Sequence, residues 1–192
     1  MRLLNKVING ISPVYKEVAV ETQRHIDNLL KPIGSLGRLE DIAARISSIT
    51  GKVSNKLDKK CVVVFASDNG ICEEGVSGAP ASVTITQFLN MTKGLTGINV
   101  FSSQAGSDVI LVDVGVNGDL PYDQIVNKKI RRGTRNMLKE AAMTRQEAVQ
   151  ALETGIDMVR ELVAQNYMVI GTGEMGIGNT STSATVIMSL TG

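Results

Sequence analysis

Three short apolar runs, each ending in a polar or glycine-rich turn, constrain the fold of this chain more than any other feature. Cys61-Val62-Val63-Val64-Phe65-Ala66 runs into Ser67-Asp68-Asn69-Gly70. Val109-Ile110-Leu111-Val112 runs into Asp113-Val114-Gly115, and Tyr167-Met168-Val169-Ile170 into Gly171-Thr172-Gly173-Glu174. Short runs that are apolar throughout, rather than at alternate positions, are the pattern of strands buried on both faces. Helical stretches lie between them, over 84–92, 97–105 and 145–165. Strands alternating with helices predict an α/β fold with a parallel, doubly wound sheet. In such sheets ligands bind beyond the carboxyl ends of the strands, where all three turns lie.

The first 58 residues do not share this alternation. Residues 15–30 read as a helix with Val18, Thr22, Ile26, Leu29 and Leu30 on one side. Lys31-Pro32 ends it, because a residue before proline avoids the α region. Residues 36–49 read as a second helix, with Leu36, Leu39, Ile42, Ala43, Ile46 and Ile49 at helical spacing and Gly51 closing it. The expected organisation is a helical segment of a small domain over 1–58 and an α/β domain over 59–192.

Composition narrows the function. Hydrophobic residues are 43% and charged residues 20%, ordinary for a globular protein. Aromatics are 3% and Trp is absent, which argues against stacking on single-stranded nucleic acid. A net charge of +1 gives no electrostatic footprint for nucleic acid or an anionic membrane. The cluster Lys128-Lys129 with Arg131-Arg132 reads as a solvated face. No apolar run reaches the length of a membrane span, and the first residues lack the pattern of a signal peptide, so a cytoplasmic location is expected. Cys61 and Cys72 are too few for a disulfide scaffold. Cys61 reads as a buried thiol, Cys72 as a loop residue. His25, the single histidine, lies beside an apolar helical stripe with nothing nearby to build a nucleophilic triad. No metal site and no cofactor are expected.

The strongest local signal is Gly171-Thr172-Gly173-Glu174-Met175-Gly176-Ile177-Gly178-Asn179-Thr180-Ser181, between a strand and a helix over 184–190. Glycine lets backbone approach a ligand closely. Asn179, Thr180 and Ser181 are good N-caps, and the free N–H groups of a helix start favour an anion. A phosphate is the physical expectation; a tight turn without ligand is the alternative. Gly171, Gly173 and Gly176 also spell the Gly-x-Gly-x-x-Gly string of dinucleotide-binding folds, which is weak alone. A Walker A loop is excluded, since no Gly-Lys-Ser/Thr follows. Glu174 places a carboxylate close to the phosphate, an arrangement better suited to chemistry at a nucleotide than to passive binding.

Several segments, in order, resemble one family, the nicotinate-nucleotide–dimethylbenzimidazole phosphoribosyltransferases. They are Lys31 to Glu40 (KPIGSLGRLE), Ala66 to Gly70, Glu74 to Ser77 with Pro80, Val83-Thr84 and Gln87, Asn90 to Gly94, Asp113 to Gly115, Arg132 to Thr134 with Asn136, and Gly173 to Thr180. The resemblance implies a Rossmann-like sheet with a small helical domain, and a homodimer. It implies transfer of phosphoribose from nicotinate mononucleotide to 5,6-dimethylbenzimidazole, giving α-ribazole phosphate and nicotinate. The nucleotide phosphate would sit on Gly176, Ile177, Gly178, Asn179 and Thr180. Glu174 would lie in the active site, and Pro80 and Gln87 in the pocket for the acceptor base. The chemistry is consistent: nicotinate leaving C1′ builds positive charge on the ribose, and a nearby carboxylate stabilises it.

The sequence departs from the family pattern at three places: Asn69 stands where the family has histidine, Ala79 where serine is frequent, and Ser181 where threonine is common. Family members are nearly twice this length, and the glutamate regarded as their general base falls beyond Gly192. The expectation is a chain truncated at its C-terminus, with apolar faces left uncovered. The competing readings are a nicotinamide-dinucleotide oxidoreductase using Gly171, Gly173 and Gly176, and an inactive nucleotide-binding fragment.

Overall fold

The computed structural model describes residues 2–192, and it divides them into two compact units. One is Asn5–Asp58; the other is Lys59–Gly192 with the N-terminal residues up to Leu4. Helix α1 (Arg2–Asn9), which the apolar pattern does not announce, opens the chain.

In the Asn5–Asp58 unit, α2 (Lys16–Asp27) packs on α3 (Arg38–Thr50). α2 stops short of the expected Leu30, because the N–H groups of Asn28 and Leu29 turn back to the Arg24 and Ile26 carbonyls and close its last turn. The apolar stripe of α3 faces outward: Leu39 and Ile49 are both 64% exposed. Thr22, Ile26, Ser47 and Ser48 fill the contact instead, since two short helices cannot enclose a large core. Gly51 ends α3 in the left-handed conformation, as its position predicts. The Lys31–Glu40 segment is closed by a buried ion pair, Lys31 Nζ to Glu40 Oε1 at 2.8 Å. Lys31, helped by the Leu36 N–H, holds the Glu40 carboxyl below the usual carboxylate range.

In the larger unit, four parallel strands lie in the order β3-β2-β1-β4: β1 (Lys60–Ser67), β2 (Asp108–Gly115), β3 (Ile125–Asn127) and β4 (Val169–Met175). The fold is the expected α/β class. Helices α4 (Val83–Thr92) and α5 (Gly97–Gln104) cover one face, where Phe88 meets Val64, Leu111 and Ile125. Helix α6 (Arg145–Ala164) covers the other, where Met158 and Leu162 meet Cys61, Val63 and Val112. Both faces of β1 are therefore buried, which explains its unbroken apolar run.

Two strands differ from expectation. β3 is three residues long, too short to leave a periodic signal. β4 continues through the glycines that read as a loop. Gly171 pairs with Val62 and Gly173 with Val64. A Cβ on either would meet a valine methyl at 3.3 Å, so these glycines make room for β1. The Gly-x-Gly-x-x-Gly string is thus mostly strand and lacks the turn a dinucleotide fingerprint requires.

Segment 128–143 is tied to α6 through Glu147. Its carboxylate accepts the Thr144 N–H at 2.7 Å and Arg135 Nη1 at 3.1 Å, with Arg131 Nη1 at 3.6 Å. The Thr144 N–H, with lesser help from the Thr144 hydroxyl and Arg135, pulls the Glu147 carboxyl down to about 2. A depressed carboxyl stabilises the fold above its unfolded value near 4.5 and loses that contribution as pH falls toward about 2. Thermal unfolding of the native chain should therefore shift down on acidification through that window by more than that of Glu147→Gln. Equal acid sensitivity of the two proteins would refute this.

Candidate active site

The chain leaves β1, builds β2 and β3 on one side, then returns to place β4 on the other. The reversal falls between β1 and β4, and ligands in open parallel sheets bind at the carboxyl ends of strands beside such a point. Two turns meet there: Asp68–Gly70 after β1 and Gly176–Gly178 after β4.

Gly176 is buried against β1. A Cβ there would stand 2.3 Å from the Ser67 carbonyl oxygen and 2.8 Å from Asn69 Nδ2. The Ile177 N–H donates to Thr84 Oγ1 at 3.0 Å, and Thr84 is 0% exposed. The Ile177 carbonyl accepts Asn69 Nδ2 at 2.9 Å and Cys72 Sγ at 3.1 Å. Gly178 takes φ +83° and caps α7 (Asn179–Thr191). The helix thus starts five residues before the expected 184, and Asn179, Thr180 and Ser181 form its first turn instead of capping it through their side chains.

Not every amide of the loop is available to a ligand. Residues up to Met175 belong to β4, the Ile177 N–H is taken by Thr84, and the Asn179 N–H turns back to the Gly176 carbonyl at 3.1 Å. The N–H groups of Gly178, Thr180 and Ser181 have no acceptor among the described residues. Three donors at the positive end of a 13-residue helix suit an anion.

Glu174 is exposed beside them. Both its carboxylate oxygens accept Asn179 Nδ2, at 2.6 and 2.7 Å. Glu174, Asn179, Thr180 and Ser183 line a shallow recess of ≈ 340 Å³. Glu174 and residues 176–180 therefore gather in one place. Pro80 and Ala79 line a second, more polar cleft of ≈ 670 Å³ with Asp68, Arg132 and Thr134. Asn69 and Cys72 line that cleft too, so it adjoins the loop through the two residues that hold the Ile177 carbonyl. Gln87 is half-buried on α4, one turn beyond Thr84, and lines neither recess.

Thr84, Asn69 and Cys72 emerge only from the folded chain as the loop's supports. Their partners lie 93 to 108 residues away, so no local pattern joins them. Among the described residues no group of three or more His, Cys, Asp or Glu is arranged to hold a metal ion, and no helix is long and apolar enough to cross a membrane.

A family model described as phosphoribosyltransferase matches residues 11–192. The chain belongs to this phosphoribosyltransferase family. A nicotinate-nucleotide–dimethylbenzimidazole phosphoribosyltransferase of Clostridium tetani is 50% identical over 190 residues, 99% of this chain and 52% of the relative. That of Clostridium acetobutylicum is 50% identical over 189 residues, covering 98% and 54%. Among solved structures, CobT from Thermus thermophilus superposes with a TM-score of 0.83 at 39% identity, over 88% of this chain and 51% of that one. The chain spans about half the length of the curated relatives it matches. The phosphoribosyltransferase fold is shared, and the dinucleotide oxidoreductase reading is not favoured.

Proposed function

We propose that this chain holds the donor nucleotide for transfer of phosphoribose from nicotinate mononucleotide to a benzimidazole base, the activity named for its relatives. In that reaction the C1′–N bond to nicotinate breaks and a C1′–N bond to the acceptor imidazole forms, giving α-ribazole phosphate. The proton of the acceptor N–H passes to a base. The observation that carries this reading is the set of Gly178, Thr180 and Ser181 amides, without an acceptor among the described residues, beside an exposed carboxylate at the sheet's switch point.

In this reading the three amides receive the 5′-phosphate, and Gly176 and Ile177 shape the turn that presents them. Glu174, oriented by Asn179, faces the ribose and stabilises positive charge building at C1′. Phosphate and carboxylate share one helix start, so the Asn179 amide between them also limits their repulsion. Pro80 lines the cleft for the flat acceptor, and Gln87, on α4 outside that cleft, has no contact role in this reading. Ala79 offers no hydroxyl where the family often has serine, which removes one hydrogen bond to the base. The working form is a cytoplasmic homodimer. Turnover is proposed for a protein of the relatives' length, and nucleotide binding for this chain.

Titrating the chain with nicotinate mononucleotide should move the amide resonances of Gly178, Thr180 and Ser181. A version of full family length should convert nicotinate mononucleotide and 5,6-dimethylbenzimidazole into α-ribazole phosphate and nicotinate. Unmoved amides, together with no product at saturating substrates, would refute the proposal.

A further inference from the structure

We infer that Asn69 and Cys72 are positioning residues that aim the Gly178 N–H at the nucleotide phosphate. This rests on the reading of the Gly178–Ser181 amides as the phosphate site. The argument is the geometry of one peptide unit. No peptide bond in the described chain is cis. In a trans peptide the C=O and the following N–H point in opposite directions. The Ile177 carbonyl is drawn inward by Asn69 Nδ2 at 2.9 Å and Cys72 Sγ at 3.1 Å. The N–H of Gly178, on the other side of that same peptide, is therefore turned away from the β1 turn, and it has no acceptor among the described residues.

The preceding peptide is fixed in the opposite sense, its N–H donated to buried Thr84. Two consecutive peptides are thus locked by side chains from the β1 turn, the short 3-10 helix Gly70–Glu74 and α4. Donors held in place before the ligand arrives bind it without a cost of reordering. Cys72 suits this role because burial first, then Asp68, pushes its thiol pKa up, so it keeps the proton it donates. Asn69, which replaces the family's histidine, supplies a donor whose state does not change with pH near neutrality. Sequence alone left position 69 as a departure with no role. The folded chain gives it one.

The test uses the 192-residue chain with Asn69→Ala and Cys72→Ala, singly and combined, and Cys72→Ser as the variant that keeps a donor. Binding of nicotinate mononucleotide and of inorganic phosphate is followed on the Gly178, Thr180 and Ser181 amides, and thermal midpoints are measured in parallel. The double variant should bind nicotinate mononucleotide about tenfold more weakly, as loss of one well-aimed hydrogen bond to a charged group predicts. Its Gly178 amide should no longer respond, while Thr180 and Ser181 still do; Cys72→Ser should stay within about twofold of the native chain. If the combined variant does not fold, each single variant carries the same readout at smaller amplitude. Unchanged affinity with a responsive Gly178 amide would overturn the positioning role and leave the phosphate site standing. No response at any of the three amides of the native chain would overturn both.

Discussion

Asp113→Ala should destabilise the larger unit by about 3–5 kcal/mol, the range found when one partner of a buried charge pair is removed. Asp113 is 0% exposed at the carboxyl end of β2. One carboxylate oxygen accepts the Gly115 and Val116 N–H groups at 3.0 and 2.9 Å. The other accepts the Tyr122 hydroxyl at 2.8 Å and lies 3.2 Å from Lys129 Nζ. One side chain therefore shapes the turn after β2 and anchors the approach to β3. Without it two backbone donors lose their acceptor, and Lys129 loses its carboxylate partner while still donating to the Gly118 carbonyl at 2.7 Å. Burial first, and then Asp113, pushes the Tyr122 phenol pKa up, so its hydroxyl stays a donor. Asp113→Asn preserves shape and one acceptor and should cost less. Urea denaturation followed by circular dichroism measures both. A loss below about 1 kcal/mol for the alanine variant would mean that the cluster is incidental to the fold.

Gly176→Ala tests the site with similar force. The added methyl would lie 2.3 Å from the Ser67 carbonyl oxygen, which is backbone of the central strand and cannot swing aside. The loop must move outward, breaking the Asn69 and Thr84 contacts to Ile177. Overpacking of this kind costs about 1–3 kcal/mol. Displaced amides should weaken nicotinate mononucleotide binding at least about tenfold, since aimed hydrogen bonds to a charged group are lost. Gly155→Ala is the matching control: nothing lies within 4 Å of its Cβ, and it sits inside α6. It should raise stability by about 0.5–1 kcal/mol and leave binding alone. Isothermal titration and thermal unfolding of both variants give the comparison. Native-like binding by Gly176→Ala would show that the loop does not need its contact with β1.

Both variants probe features that the sequence displayed without explaining. Asp113 stood out as the residue ending an apolar run, but its four partners include Tyr122 and Lys129, which no periodicity joins to it. The glycines after residue 170 read as one ligand loop, and the folded chain separates them by role. Gly171 and Gly173 make room for the valines of β1, Gly176 clears a carbonyl, and Gly178 takes a left-handed turn into α7. The α3 stripe was legible as a helix, yet its outward face was not, because periodicity reports which residues share a side and not what covers it.

Three of the four strands of the larger unit, the helices between them and the buried nature of β1 were written in local pattern, whereas the short β3 and the bounds of the turn between β4 and α7 were not. Backbone propensity and burial act over a few residues, and a linear reading recovers them. Family membership was legible for the same reason, as ordered blocks along the chain. Which loop amides remain free was decided only in three dimensions. Their orientation depends on hydrogen bonds from Asn69, Cys72 and Thr84 to Ile177, across 93 to 108 residues of chain. Such bonds exist only once β1 and β4 lie side by side in the sheet.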